Sequence, residues 1–347
     1  MHEGRPRGTA AGLPRCVAPP PGAQAPPPGA QAPPPARERL YLPRLSRPAR
    51  PHLELHAAVL LAGLTAVLGE LITVGALPLV WWRVLLAAAS FVPLYYLWPG
   101  RRLRLSAKPT TRLLGVGALV GLHWVTFYGS VKLANASVAL VCFALVSPLT
   151  ALLEPPLLGT RFNAREFALG CLVLPGMLLV AGAIDAAYYA GFAVGIASAV
   201  LAALFGTLNK RYVAEVRPVD LSLVEMAGAW ATLTMLYPLL ARLDLGGGGG
   251  GAAAFWPTPL DWAYLLVLAL ACTTLAYLLA TRALRSLSAF TTNLAYALEP
   301  VYGIVLAAVL LDQYEELSAA FYLGAALITL AVLTHGLLNR RAGVAYA

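Results

Sequence analysis

From His52 onward, apolar runs of about 18 to 25 residues alternate with short polar breaks, each run long enough to cross a hydrocarbon core as a helix. The pattern predicts ten spans, at 53–74, 78–98, 111–131, 136–158, 165–184, 187–208, 219–240, 259–280, 287–311 and 318–338. Most breaks hold only a few residues, so consecutive spans are antiparallel neighbours. The exception is the Gly-rich stretch at 243–259, which reads as a flexible spacer and not as a phosphate loop, because no GK[ST] follows it.

The segment before His52 follows other rules. It repeats the unit "APPPGAQ", then carries Arg37, Arg39, Arg44, Arg47 and Arg50. Such a chain buries too little apolar surface to fold and is expected to be a disordered cytoplasmic tail over 1–51. It lacks the apolar core of a secretory signal, and it is too proline-rich for a transit peptide. An over-extended start is the alternative reading. The rest divides into two halves, 52–184 and 187–340.

Composition fits a lipid solvent. Hydrophobic residues make up 59% of the chain and charged residues 12%, with a mean hydropathy of +0.71, against about 25% charged in soluble domains. A soluble enzyme is excluded. The net charge of +9 suggests nucleic acid at first sight, but the basic residues cluster between apolar runs, as membrane topology places them. With the N-terminus inside, all Lys and Arg except Arg83, Lys132 and Arg242 fall in the tail, in cytoplasmic loops or at the inner ends of spans. Both termini are therefore expected in the cytoplasm. Cys16, Cys142, Cys171 and Cys272 show no metal or redox spacing, and no cofactor is implied. HExxH, Walker A and paired catalytic motifs are likewise missing from the sequence, which argues against a membrane enzyme and against direct use of ATP.

A weak internal repeat links the halves. "NASVALVCFALVSPLTALLEPPLLG" in the fourth span resembles "SLSAFTTNLAYALEPVYGIVLAAVLL" in the ninth, with Ser147-Pro148 matching Glu299-Pro300. Five spans per copy is an odd number, so the second copy enters the membrane inverted, a plan that recurs among secondary transporters.

"LEPVYGIVLAAVLLDQYEELSAAFYLGAALITLAV" (298–332), "FYGSVKLANASVALVCFALVSPLTALLEPPLLG" (127–159) and "WWRVLLAA" (81–88) together resemble the EamA-type repeats of the drug/metabolite transporter superfamily, over about 53–340. The resemblance implies an all-α membrane fold of ten helices, built as two inverted five-helix repeats around a central cavity. It implies secondary transport of a small metabolite by alternating access, most often efflux, in a bacterial inner membrane. The chain departs from the family in reading "GTRF" at 159–162 and "LDQYEE" at 311–316, where the family often carries "GE" and "LGE".

Ionisable groups inside a span are costly and are candidates for function. Glu299 lies mid-span, on a stripe with Thr292, Tyr296 and Gly303, and Asn293 lies beside that stripe. Pro300 donates no backbone hydrogen bond and frees the Tyr296 carbonyl. The stripe reads as a midplane solute or proton site, or as a carboxyl hydrogen-bonded between helices. Ser147 and the carbonyl freed by Pro148 occupy the matching place in the fourth span, where a simple kink is the alternative. Arg83 and Glu70 near the outer ends of the second and first spans read as an ion pair or an outer gate. Glu154 and Glu225 near the inner face read as an inner gate, or as acids paired with Lys210, Arg211 or Arg161. His123 and Trp124 share the third span with Gly117, Gly121 and Tyr128, a stripe of close packing and cavity wall. His123 reads as a structural hydrogen-bonded residue or a proton relay. Lys132 and Asn135 sit at the outer end of that hairpin. Gly191 and Gly195 read as a packing pair.

The expected function is secondary transport of a small polar metabolite, an amino acid or related compound, with protons as a candidate coupling ion. A passive channel of the same fold and a sugar-nucleotide-type carrier are the alternatives. The expected partners are the solute and the lipid bilayer, with no nucleic acid.

Overall fold

The computed structural model describes residues 49–97, 107–134, 136–181, 186–243, 255–311 and 319–341. The Pro-rich tail before residue 49, the basic residues 101–104, Asn135, most of the Gly-rich spacer and residues 312–318 lie outside them.

The described residues are helical throughout their regular structure, with no strand. In chain order the helices are α1 (Ala49–Leu71), α2 (Ala76–Leu97), α3 (Ala107–Leu133), α4 (Ala136–Phe143), α5 (Val146–Leu158), α6 (Ala164–Ala181), α7 (Tyr189–Tyr212), α8 (Pro218–Leu240), α9 (Pro259–Ala269), α10 (Ala276–Leu284), α11 (Ala289–Tyr296), α12 (Glu299–Leu311) and α13 (Ala319–Arg341). A π-helical turn, Leu270–Leu275, joins α9 to α10 without a break. Six helical stretches among the described residues are long and apolar enough to cross a membrane: Arg50–Leu71, Ala76–Leu97, Pro109–Leu133, Tyr189–Tyr212, Pro218–Leu243 and Pro259–Leu284. The other expected spans coincide with α4–α5, α6, α11–α12 and α13.

The breaks have a local cause. Pro148 and Pro300 lack the N–H that would close the turn onto Ala144 and Tyr296. The chain tightens there instead: Leu145 N–H reaches back to Cys142 (3.0 Å), while Ala297 and Leu298 reach Leu294 and Ala295 (3.1 and 3.0 Å). Each shift leaves a short helix, an irregular pair and a second helix in line.

Packing depends on small residues where helices touch. A Cβ on Gly117 would stand 2.2 Å from the Glu225 carbonyl, and one on Gly228 2.7 Å from that of Leu114, so α3 and α8 touch almost backbone to backbone. Gly191 and Gly195 pack α7 against Ala134, Ser130 and Cys142 in the same way. Gly303 meets Gly63 of α1, so close helix packing occupies the glycine end of the Glu299 stripe. Large apolar side chains face outward, with Met235 at 82% and Leu97 at 79% exposure, a surface suited to lipid and not to water.

Candidate functional site

Enclosed by these helices is a cavity of about 970 Å³, counting its open side. Helices α1, α2, α3, α4, α7, α10 and α11 line it, together with the π-turn and the first residue of α12. Aromatic walls come from Trp124, Phe127, Phe143, Phe205, Tyr277 and Tyr296, while the polar groups are few: Arg83, Glu299, His123, Asn209, Asn293 and several threonines. An apolar chamber holding a few convergent polar groups is the usual form of a small-molecule site.

Arg83 is its cation. The side chain is 4% exposed and well held: Nε donates to Thr273 Oγ1 (2.7 Å), Nη1 donates to Tyr128 Oη (2.9 Å), and the guanidinium lies 4.1 Å from the Trp124 ring centroid. Tyr128 in turn donates to the Thr65 carbonyl (3.4 Å). Thr273 sits in the π-turn, with its hydroxyl also donating to the Leu268 carbonyl five residues back (2.7 Å). A π-turn adds a residue to the helix and re-aims side chains, a feature often found at functional sites. Here it brings Thr273 to Arg83.

Glu299 is the acid. It opens α12 directly after the irregular pair, is 5% exposed, and makes no hydrogen bond or ion pair among the described residues. Asn293 Nδ2 donates to Thr150 Oγ1 (2.7 Å), which leaves its amide oxygen for another partner. His123 Nδ1 meets Ser198 Oγ at 2.9 Å and the Ser198 carbonyl at 3.0 Å, tying α3 to α7 at the cavity wall.

Of the residues expected at a site, Glu299, Tyr296, Thr292, Asn293, Trp124 and His123 line this one cavity. Tyr128 and Ser147 do not. Tyr128 is fully buried behind Arg83 and positions it, and Ser147 donates to the Asn293 backbone carbonyl (3.4 Å). Arg83 and Glu70 do not form the expected ion pair: Arg83 turns into the cavity, whereas Glu70 is exposed. Glu154 accepts from the Phe290 amide (2.9 Å) at the N-terminus of α11. Glu225 is fully buried against Asn209 and Tyr277, away from Lys210 and Arg211; Lys210 donates to the Leu284 carbonyl (3.0 Å) and Arg211 to the Leu157 carbonyl (3.4 Å). The sequence reading missed Thr273, Tyr277 and Asn209 as cavity residues. A polar pair, Thr273-Thr274, inside an otherwise apolar span was the available signal.

The two halves match one family model, described as the EamA-like transporter family, over residues 53–182 and again over 189–335. The chain belongs to the EamA-like transporter family. This EamA-like protein is thus an integral membrane protein and a membrane transporter of the drug/metabolite superfamily. Nothing among curated proteins matches it. A solved crystal structure is similar over 85% of this chain and 99% of its own, at 20% identity and a TM-score of 0.65, which speaks for the fold alone.

Proposed function

We propose that this EamA-like protein is a secondary transporter of small zwitterionic metabolites, amino acids or close relatives, which it exports by alternating access. The observation that carries the reading is that one cavity holds a guanidinium, Arg83, and a carboxyl group, Glu299. The planar Arg83 fork suits a carboxylate, the Glu299 carboxyl, which no hydrogen bond occupies among the described residues, suits an ammonium, and the aromatic walls suit a side chain. A dianionic phosphate is disfavoured by a lining with one guanidinium and a carboxylate.

The architecture proposed is ten spans in two inverted halves, 52–184 and 187–340, with both termini in the cytoplasm of a bacterial inner membrane. Packing supports it, because the contacts persist when the halves are exchanged. Helix α3 packs on α7 as α9–α10 pack on α1, and α4–α5 pack on α7 as α12 packs on α1, while the α2–α8 and α6–α13 contacts each join the two copies of one span. The proline-broken helices fall in matching places. Each closed end would then have its own latch. On the cytoplasmic side, Glu154 of α5 holds α11 through Phe290 N–H. On the outer side, Asp261 of α9 accepts from both Thr73 N–H and Thr73 Oγ1 (2.7 Å each).

The test is flux of labelled amino acids, their decarboxylated amines and their methyl esters in proteoliposomes. Saturable flux of the zwitterions, with the amines weakened by Arg83→Gln no further and the esters weakened by Glu299→Gln, is the expected result. Equal flux of all three classes, unchanged in both variants, would remove the charge pair from recognition.

A further inference from the structure

Beside the cavity, on its cytoplasmic side in the proposed orientation, lies a buried acid that solute recognition does not use. Glu225 is 0% exposed, at the α8 surface that packs against α3, with Asn209 of α7 and Tyr277 of α10 around its carboxyl. Every hydrogen in this cluster points to the same two atoms. Asn209 Nδ2 donates to Glu225 Oε2 (3.2 Å) and to Tyr277 Oη (3.0 Å), and the Tyr277 O–H donates to the same Oε2. Glu225 Oε1 and Asn209 Oδ1 are buried and have no partner among the described residues.

A carboxylate buried without a cation is among the most costly groups a membrane helix can carry. A glutamine would fill the same space at no such cost. The titratable groups on the packed helices do not supply the charge: Arg83 of α2 is held by Thr273 and Tyr128, His123 of α3 by Ser198, and Arg112 of α3 is exposed. Tyr277 touches the carboxyl, but its hydroxyl donates to Glu225 Oε2 and brings no charge. What the cluster lacks is one small positive charge. Rotating the Asn209 amide does not remove the deficit, because its oxygen would then face Glu225 Oε2 and need a proton between them.

We propose that Glu225, with Asn209 and Tyr277, is the coupling-ion site of this transporter and takes one small monovalent cation, H⁺ or Na⁺. The proposal rests on the transport reading above and places the ion away from Glu299. Communication with the solute runs through shared walls. Asn209 and Tyr277 both line the cavity, and Tyr277 stands edge-on to Trp124, centroids 6.3 Å apart, the ring that stacks on Arg83. Loss of the cation leaves an anion that draws in the Tyr277 hydroxyl and the Asn209 amide, and both movements reshape the solute wall.

The test needs no solute, so its failure is separable from failure of the transport reading. The melting temperature of the detergent-purified full chain is followed while Na⁺ replaces K⁺ at constant ionic strength, and separately while pH falls in Na⁺-free buffer. A ligand that binds the folded state raises the melting temperature. The expected result is stabilisation by one of the two cations in the wild type and in Glu299→Gln, and its loss in Glu225→Gln; the arm that responds names the ion. Should Glu225→Gln fail to fold, Tyr277→Phe serves. Removing a hydroxyl that stabilises the empty anion is expected to tighten the cation midpoint by about tenfold. The same cation response in Glu225→Gln as in the wild type, an unmoved midpoint in Tyr277→Phe, or no response to either cation in the wild type would overturn the proposal.

Discussion

Arg83 illustrates how much one residue's surroundings add to its identity. Its charge inside a span marks it as functional from the sequence, but its partner does not follow from chain proximity. Glu70 is near in sequence and yet exposed, while the guanidinium is held by Thr273 and Tyr128, far along the chain. The reason is physical: a helix that is apolar all round gives no periodic sign of which face turns inward. Glu299, Tyr296 and Thr292 were legible because a proline and a carboxyl mark their stripe independently of periodicity. Tyr128 shares a stripe with Trp124, but only Trp124 reaches the cavity; a turn's difference in height separates lining from support. Two substitutions follow. Arg83→Lys keeps the charge and loses the fork and the stacking surface, and is expected to raise the KM of zwitterion flux by at least about tenfold. Tyr128→Phe removes one hydrogen bond to a charged group and is expected to give a smaller rise of the same kind, with the fold intact.

At the level of elements, the helix positions were readable from apolar runs, and their ends fall within a few residues of expectation. The interruptions in α4–α5 and α11–α12 were readable only as prolines, whereas the π-turn at Leu270–Leu275 had no signal beyond two adjacent threonines. Both devices leave backbone groups outside the regular ladder, which is tolerated within a membrane where the groups are covered by protein or face a cavity. Pro300→Ala restores an N–H able to bond the Tyr296 carbonyl and to straighten the helix. The proposed role of the break in motion predicts a higher melting temperature together with slower flux. A variant both more stable and equally fast would show that the break is only a relic of packing.

Across the whole molecule, the proposed alternating access requires two states, one open to each side. Cys272 lines the cavity and can report them. With Cys16, Cys142 and Cys171 replaced by serine, Asp261→Asn weakens the Thr73 latch and is expected to raise labelling of Cys272 by an impermeant thiol reagent from outside. Glu154→Gln weakens the Phe290 latch and is expected to raise labelling from the cytoplasmic side. Labelling that changes on both sides in each variant would describe a pore with two constrictions. Counterflow distinguishes the two most directly. Proteoliposomes loaded with unlabelled neutral amino acids are diluted into a trace of the labelled mixture, and the label inside is followed over time. An alternating-access carrier gives a transient internal accumulation above the outside concentration, and it is lost with Arg83→Gln. A monotonic approach to equal concentrations, in a preparation that conducts the solute, would contradict alternating access.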